Sequence, residues 1–415
     1  MRTPLSKKQE VSAMSTVRGQ ARAVGIPFDG NAGPMNAIID VDQVCVGHDQ
    51  TSAGDTQTGV TAILPIGNDA SDGIDTFVLA AFFCLNGNGE MTGTHLIEEM
   101  GFLEGPIVLT NTVSLGDVRS WVIKNAMATT PSEDFGLIVP VVAETDDSYL
   151  NNSLLFNVTQ EMVDNAINKA IKNASPDNLQ EGNVGGGTGM TCYSWKGGIG
   201  TASRQVIVYQ SDNKTQIPNP NNDPTHPYFT VGVLVQANQG NYWDLVIRGV
   251  PMGQDPQFAP PPDTPDKPPG QGLPRRRTRK SSIIVVMATD TPLLPHQLKR
   301  LARRATHGIA RTGTITDDDS GELFIAFTTV NHEVAKQADE VAQAGVIPND
   351  SMDPLFEATV QATEEAILNA LCAAKTVTGY QGHVAHAIKD APPAATPPTL
   401  SLVEMLKKYN RYVGP

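Results

Sequence analysis

No run of apolar residues in this chain approaches the roughly eighteen that a membrane-spanning helix requires, so a water-soluble protein is expected. Cysteine is scarce: Cys45, Cys84, Cys192 and Cys372 lie far apart, without C-x-x-C spacing, which argues against a zinc framework or a disulfide-stapled fold. Buried free thiols are expected instead. Positive charge is in deficit too, and a formal charge of −14 argues against nucleic acid as the main partner, because phosphate contacts need clustered basic groups. The one basic run, Arg275–Lys280, reads as a solvated linker face. The N-terminus has basic residues but no continuous apolar stretch, so a secretory leader is not expected. The cytoplasm is the expected compartment; organellar targeting, with Met14 as a second start, is the alternative. Histidines are scattered, and the one close pair, His383 and His386 in "GHVAHA", reads as a polar loop. Neither a metal nor a cofactor is expected.

What is present is a globular composition, 40% hydrophobic and 18% charged, over 415 residues. That length holds one large core or two ordinary domains. β-Branched or aromatic runs bounded by Gly, Asp or Asn predict buried strands at "TGVTAILPI" (58–66), "DTFVLAAFFCL" (75–85), "GPIVLTNT" (105–112), "FGLIVPVVAET" (135–145), "YFTVGVLVQAN" (228–238), "SIIVVMATD" (282–290) and "GELFIAFTTVN" (321–331). Apolar residues at three- and four-residue intervals predict helices over 93–103, 115–127, 159–171, 295–312 and 353–374. Strands apolar on both faces, together with amphipathic helices, favour sheets inside and helices outside. Residues 1–24 read as a flexible lead-in. Residues 251–281 read as an exposed proline-rich and basic connection, too poor in apolar bulk to fold alone. The apolar strand after it must pair with the earlier part of the chain, so 25–415 is expected to be a single domain.

The abrupt junction "RRRTRKSSIIVV" suggests a specific chemistry. A serine opening a buried strand, after an exposed segment, is what an N-terminal nucleophile needs. Its hydroxyl attacks the preceding carbonyl, the ester hydrolyses, and the new α-amine can serve as base. Such an amine has an ordinary pKa of about 7.7–8.0, so part of it is unprotonated near neutral pH. On residue types alone, a serine pair at a strand start is more often just a polar boundary.

The surrounding motifs decide between these. "SIIVVMATDTPLLPHQLKRLARRATHGIARTG", with "VVAET", "EGNVGGGTGM", "KGGIGT", "TVGVLVQAN" and "VQATEEAILNAL", resembles the self-processing L-aminopeptidase/D-amidase/D-esterase and β-peptidyl aminopeptidase family. The likeness runs from "GIPFDG" to about Ala374 in motif order and spacing. It implies an α/β fold, a four-layer αββα sandwich of the N-terminal-nucleophile type, cut once between Ser281 and Ser282 into two associated chains. Ser282 is then the nucleophile and, through its α-amine, the base. Ser281 replaces the family's usual Gly or Asn, which bears on the ease of cleavage, and is itself the alternative nucleophile. The resemblance further implies that Asn238 donates to the oxyanion and that Glu144 receives the substrate's amino group. Ser320 and Glu322, two apart at a strand start and so on one face, would contact the amine and hydroxyl of the nucleophile. Where some relatives carry Tyr, this chain has Asp146, so that oxyanion role is vacant or passes to Tyr149. "GNVGGGTGM" lacks the lysine of a phosphate loop. In this family it lies near the active site, letting backbone pack against the nucleophile strand or donate N–H groups.

A self-activating hydrolase removing an N-terminal residue from short peptides, amides or esters, with acyl transfer to amines as a side reaction, is the function expected. The substrate is a small molecule, and a homo-oligomer, a tetramer or larger, is what the family implies. Two alternatives stand beside it. One is an amide hydrolase for nylon-type oligomers, against which Ser282 and Glu144 count; the other is an uncleaved, non-catalytic binding protein.

Overall fold

A computed structural model describes residues 19–67, 77–129, 139–172, 179–219, 227–262, 281–335, 341–390 and 399–414. Most of the expected lead-in (1–18), the basic part of the connection (263–280) and the first residues of the predicted strand 135–145 lie outside the described residues.

The strands of the two main sheets, in chain order, are β1 Cys45–Ala53, β2 Thr56–Leu64, β3 Phe77–Gly87, β4 Phe102–Glu104, β5 Ile107–Asn111, β6 Val141–Thr145, β7 Gly198–Val206, β8 Phe229–Asn238, β9 Ser281–Thr289 and β10 Ser320–Thr328. One sheet has the order β1-β2-β5-β6 and the other β4-β3-β10-β9-β8-β7. Strand β9 is central because it is apolar at every position between its two serines and the closing Thr289. Ile284, Val286 and Ala288 point into the space between the sheets, where they meet Ile63, Leu109 and Val141. Ile283, Val285 and Met287 point the other way, into a layer of helices. That alternation with period two is what a strand buried on both faces imposes.

Helices cover both outer faces. Leu115–Thr129 and Gln160–Lys172 pack on the four-stranded sheet through Val118, Val122, Val163 and Ile167. Pro295–Ala302, Ala305–Ala310, Asp353–Ala373 and Leu402–Lys408 pack on the six-stranded one. The result is an αββα sandwich of the N-terminal-nucleophile type, as expected.

Several expectations are corrected. The connection does not become exposed at residue 251: Met252 and Phe258 are buried, Phe258 stacks against Trp195 and Tyr242, and Asp255 is paired with Lys408. One aromatic and one methionine suffice to pin a proline-rich segment against an existing core. Likewise the lead-in ends early, since Gln20–Ala23 is a short helix whose Arg22 pairs with Glu365. Cys84 is exposed, while the other three thiols are buried. Helix Asp353–Ala373 has more than one buried stripe, for Glu364, Glu365, Thr359, Thr363 and Asn369 are all buried with its apolar residues. Glu365 is held there by Arg204 at 2.6 Å and Arg22 at 2.6 Å, the pairing that a buried charge needs.

Candidate active site

The two serines open β9 where three strands meet. Asn238, the last residue of β8, stands opposite Ser282 in the antiparallel register; Gly321 stands opposite Ser282, and Ser320 opposite Ser281, in the parallel register with β10. Both serines are buried. The Ser282 hydroxyl donates to the Ser281 carbonyl oxygen at 2.6 Å and accepts the Gly321 N–H at 3.3 Å. Ser281 is held from its own side, its hydroxyl accepting the Gly240 N–H at 2.8 Å. The Ser281 carbonyl oxygen and the hydroxyl that follows it are therefore in direct contact.

Asn238 has its amide oriented from both ends. Its Oδ1 accepts the Thr191 N–H at 2.8 Å and its Nδ2 donates to the Asp146 carbonyl at 3.0 Å. Since an amide nitrogen carries two N–H bonds, one remains beyond the bond to Asp146.

Glu144 lies at the end of β6, in the opposing sheet. Its Oε2 accepts the Thr112 hydroxyl and its Oε1 accepts the Glu90 N–H at 2.9 Å. Burial pushes this carboxyl above its ordinary range, the two hydrogen bonds oppose that shift, and the nearby Asp146 and Glu90 add to it. Gly89 lies between Glu144 and β10, the strand beside Ser282: a Cβ built there would lie 3.4 Å from Glu144 Oε1 and 3.6 Å from Gly321 Cα. Gly89 is thus the residue that separates the carboxylate from the register partner of Ser282.

Ser320 and Glu322 are brought together, the serine hydroxyl donating to Glu322 Oε1. Glu322 is fully buried, its Oε2 has no partner among the described residues, and burial pushes the carboxyl up to about 7, a shift that the Ser320 bond opposes. The register sets this pair on the face of the sheet shared with Ser281 and Ile283, whereas Ser282 shares its face with Asn238 and Gly321. The pair thus bonds to itself, and the Ser282 hydroxyl is met by the N–H of Gly321 between them.

Tyr149 has partners of its own. Its hydroxyl donates to the Val384 carbonyl at 3.3 Å and its ring stacks on His383 at 4.6 Å. "GHVAHA" is accordingly more than a loop, because Val384–Ala385 pairs with Val377–Thr378. The glycine cluster does serve close backbone approach, but to other neighbours than expected. A Cβ at Gly186 would lie 2.1 Å from Gln236 Oε1, and one at Gly187 would lie 2.4 Å from the Ile199 nitrogen, so the cluster wedges against β7 and β8 rather than β9. Among the described residues no group of His, Cys, Asp or Glu is placed to hold a metal ion. Sequence reasoning missed the groups that hold the others in place: Thr112, Gly240 and the hairpin around Thr191. Backbone N–H donors leave no signature in side-chain patterns.

Comparison with known proteins places this architecture. The model of peptidase family S58 matches residues 36–385. The chain is 40% identical over 422 residues to beta-peptidyl aminopeptidase BapA of Sphingosinicella microcystinivorans, covering 96% of this chain and 94% of that one. It is 40% identical over 384 residues to the BapA of Sphingosinicella xenopeptidilytica, covering 89% of each. Among solved structures it resembles the L-aminopeptidase D-Ala-esterase/amidase of Ochrobactrum anthropi, described as a variant of the Ntn hydrolase fold, with TM-score 0.75, 38% identity, and 95% of this chain and 100% of that one covered. A Burkholderia sp. beta-aminopeptidase is similar at TM-score 0.74 and 36% identity, with 94% and 98% covered.

Proposed function

The chain belongs to peptidase family S58 and is an aminopeptidase hydrolase, and we propose that it matures by cleaving itself between Ser281 and Ser282 and then works through the new N-terminal serine. The observation that carries this reading is the Ser282 hydroxyl lying 2.6 Å from the Ser281 carbonyl oxygen at the mouth of a fully buried strand. In the first reaction Ser282 Oγ adds to the Ser281 carbonyl carbon, the peptide C–N bond breaks, and the acyl group moves to oxygen. Water then hydrolyses the ester, leaving the Ser281 carboxylate and the Ser282 α-amine.

Removal of Ser281 has a structural consequence. Ser281 is the register partner of Ser320, so its departure opens the space beside the Ser320–Glu322 pair. The unpartnered Glu322 Oε2 is there to accept an N–H from the new terminus, which would hold the amine in reach of its own hydroxyl. This accounts for a buried carboxyl that lacks a partner in the uncut chain.

In turnover the substrate ammonium sits on Glu144, the Ser282 α-amine takes the hydroxyl proton, and Oγ attacks the substrate carbonyl. The free N–H of Asn238 Nδ2 stabilises the oxyanion, a task for which a neutral, preorganised donor is suited. Collapse releases the amine and leaves an acyl-enzyme, which water or a second amine resolves. Substrates are short peptides, amides or esters with a free N-terminal amine, with β- and D-residues within the class.

Denaturing electrophoresis with N-terminal sequencing tests the first step. Two chains, the smaller beginning at Ser282, are expected, and Ser282→Ala should give one uncut chain unable to hydrolyse an aminoacyl p-nitroanilide. A smaller chain beginning elsewhere, or turnover by Ser282→Ala, would refute the assignment.

A further inference from the structure

Lys196 is a buried cation with an unusual set of partners. It is fully buried, and its Nζ donates to the carbonyls of Gly187 at 3.1 Å, Met190 at 2.8 Å and Gly197 at 2.9 Å. Three donors meet three acceptors, all of them backbone. Among the described residues no carboxylate forms an ion pair with it, so its charge is balanced only by peptide dipoles, and burial pushes the ammonium down to about 7. A charge this costly to bury calls for a reason.

The segment it ties is a two-residue hairpin, Thr191–Cys192 paired with Trp195–Lys196. Its turn residues, Tyr193 and Ser194, have φ of 51° and 65°. Hairpins with positive φ at both turn positions normally use Gly, Asn or Asp, so this one is held in a conformation its own residues disfavour. Tyr193 is anchored at its far end by a hydrogen bond to Thr312 at 2.6 Å. At the near end Lys196 gathers the incoming strand (Gly187, Met190) and the outgoing one (Gly197).

The product of this arrangement is one N–H in a fixed place, that of Thr191, directed at Asn238 Oδ1. An asparagine side chain can rotate by a half-turn and exchange its oxygen and nitrogen with little change of shape. Flipped, Asn238 would present a carbonyl oxygen where the reaction needs a donor. The Thr191 N–H on one end and the Asp146 carbonyl on the other allow only the donor-forward orientation.

We propose that Lys196 is a positioning residue for the oxyanion site, acting through the Thr191 hairpin to keep the Asn238 amide donor-forward in both self-cleavage and turnover. This rests on the assignment of Asn238 as the oxyanion donor. It goes beyond that assignment in naming a buried lysine, with no atom at the reacting centre, on which the donor depends.

A double-mutant cycle tests it, read as the rate of appearance of the second chain and as kcat and KM per cleaved molecule on an aminoacyl p-nitroanilide. Asn238→Ala is expected to lower the rate by about 10²–10³-fold. Lys196→Met is expected to lower kcat by about tenfold or more while KM changes by less than about threefold, the pattern of an interaction made in the transition state. In the Asn238→Ala background the same lysine substitution should cost less than about threefold, because the donor it positions is already gone. Additive losses, or a loss confined to KM, overturn the proposal. Should Lys196→Met fail to fold, Lys196→Gln, which keeps two N–H donors, is carried through the same cycle; failure of both to fold assigns Lys196 to stability alone and overturns it as well. Unimpaired turnover by Asn238→Ala would instead refute the oxyanion assignment itself, a result distinct from additivity in the cycle.

Discussion

Replacing Glu144 by Gln removes one charge and little volume, which makes it a clean probe of how substrate is held. In the structure both carboxylate oxygens are already engaged on one side, by the Thr112 hydroxyl and the Glu90 N–H, and the residue is buried. An ammonium about 4 Å away would gain about 4 kcal/mol at an effective dielectric of about 20. Desolvation of the ammonium offsets part of this, and hydrogen bonds to charged groups contribute a net of about 1.5–3 kcal/mol. A loss of about 2–3 kcal/mol corresponds to about 30- to 150-fold in kcat/KM. The assay compares an aminoacyl p-nitrophenyl ester with its desamino counterpart, in which hydrogen replaces the amine. The first should fall by that factor and the second by less than about threefold, since only the first carries the charge that Glu144 meets. Acid should mimic the substitution. Burial raises the Glu144 pKa, so the carboxylate required for the ammonium is lost as pH falls, beginning above the ordinary carboxylate range. The desamino ester should lack that limb. Equal losses for the two esters would refute the ammonium-binding role, whatever their size.

Two stability predictions come from the packing. Gly200→Ala would place a Cβ 2.0 Å from the Ala366 carbonyl oxygen and Gly47→Ala one 2.1 Å from the Ala166 oxygen, so each should destabilise by about 1–3 kcal/mol or more in urea unfolding; neutrality at either position would show the helix to be movable there. Glu365→Leu leaves Arg204, 1% exposed at its side chain, without its counter-ion. Breaking a buried pair in this way should cost about 3–5 kcal/mol, and a loss below about 1 kcal/mol in the same assay would contradict the pairing described.

Much of this fold can be read from sequence because its central strands are buried on both faces. "SIIVVMAT" and "FTVGVLVQA" have no polar alternative to being strands, and their observed limits agree with the expected ones within about two residues. The candidate site residues sit at the ends of such runs, Asn238 as the last residue of its strand, Glu144 as the last but one, Ser282 as the second and Ser320 as the first, and it was the family resemblance that singled them out. What escaped was mostly what acts through backbone. The Thr191 N–H on Asn238 and the Gly240 N–H on Ser281 belong to residues whose side chains do something else. The buried part of the connection escaped for a different reason, since a few side chains such as Phe258 decide it and composition averages them away.

Three strands of the two main sheets escaped: β4, short and at the end of a predicted helix, and β1 and β7, which have a common cause. Each of the latter two contains a glycine, Gly47 or Gly200, that a composition argument takes as a sign of loop. In the structure each glycine is the place where a helix crosses its sheet. Gly47 lies against Ala166 and Ala170 of Gln160–Lys172, and Gly200 against Ala366 and Ala370 of Asp353–Ala373. In both cases the helix offers two alanines four residues apart, on one face, to a strand residue without a side chain. The same solution thus appears on both outer faces of the sandwich. Backbone approaching backbone brings the helix close enough to seal the sheet, and the neighbouring strand residues keep their burial. In β7 the gain reaches the site: Gly200 pairs with Val235, and the Gly198 end of the strand lies opposite Ala237, next to Asn238. Asn238, the proposed oxyanion donor, therefore stands on a strand whose neighbour is clamped by a long helix, and glycine in that neighbour is a requirement of rigidity rather than a concession to flexibility.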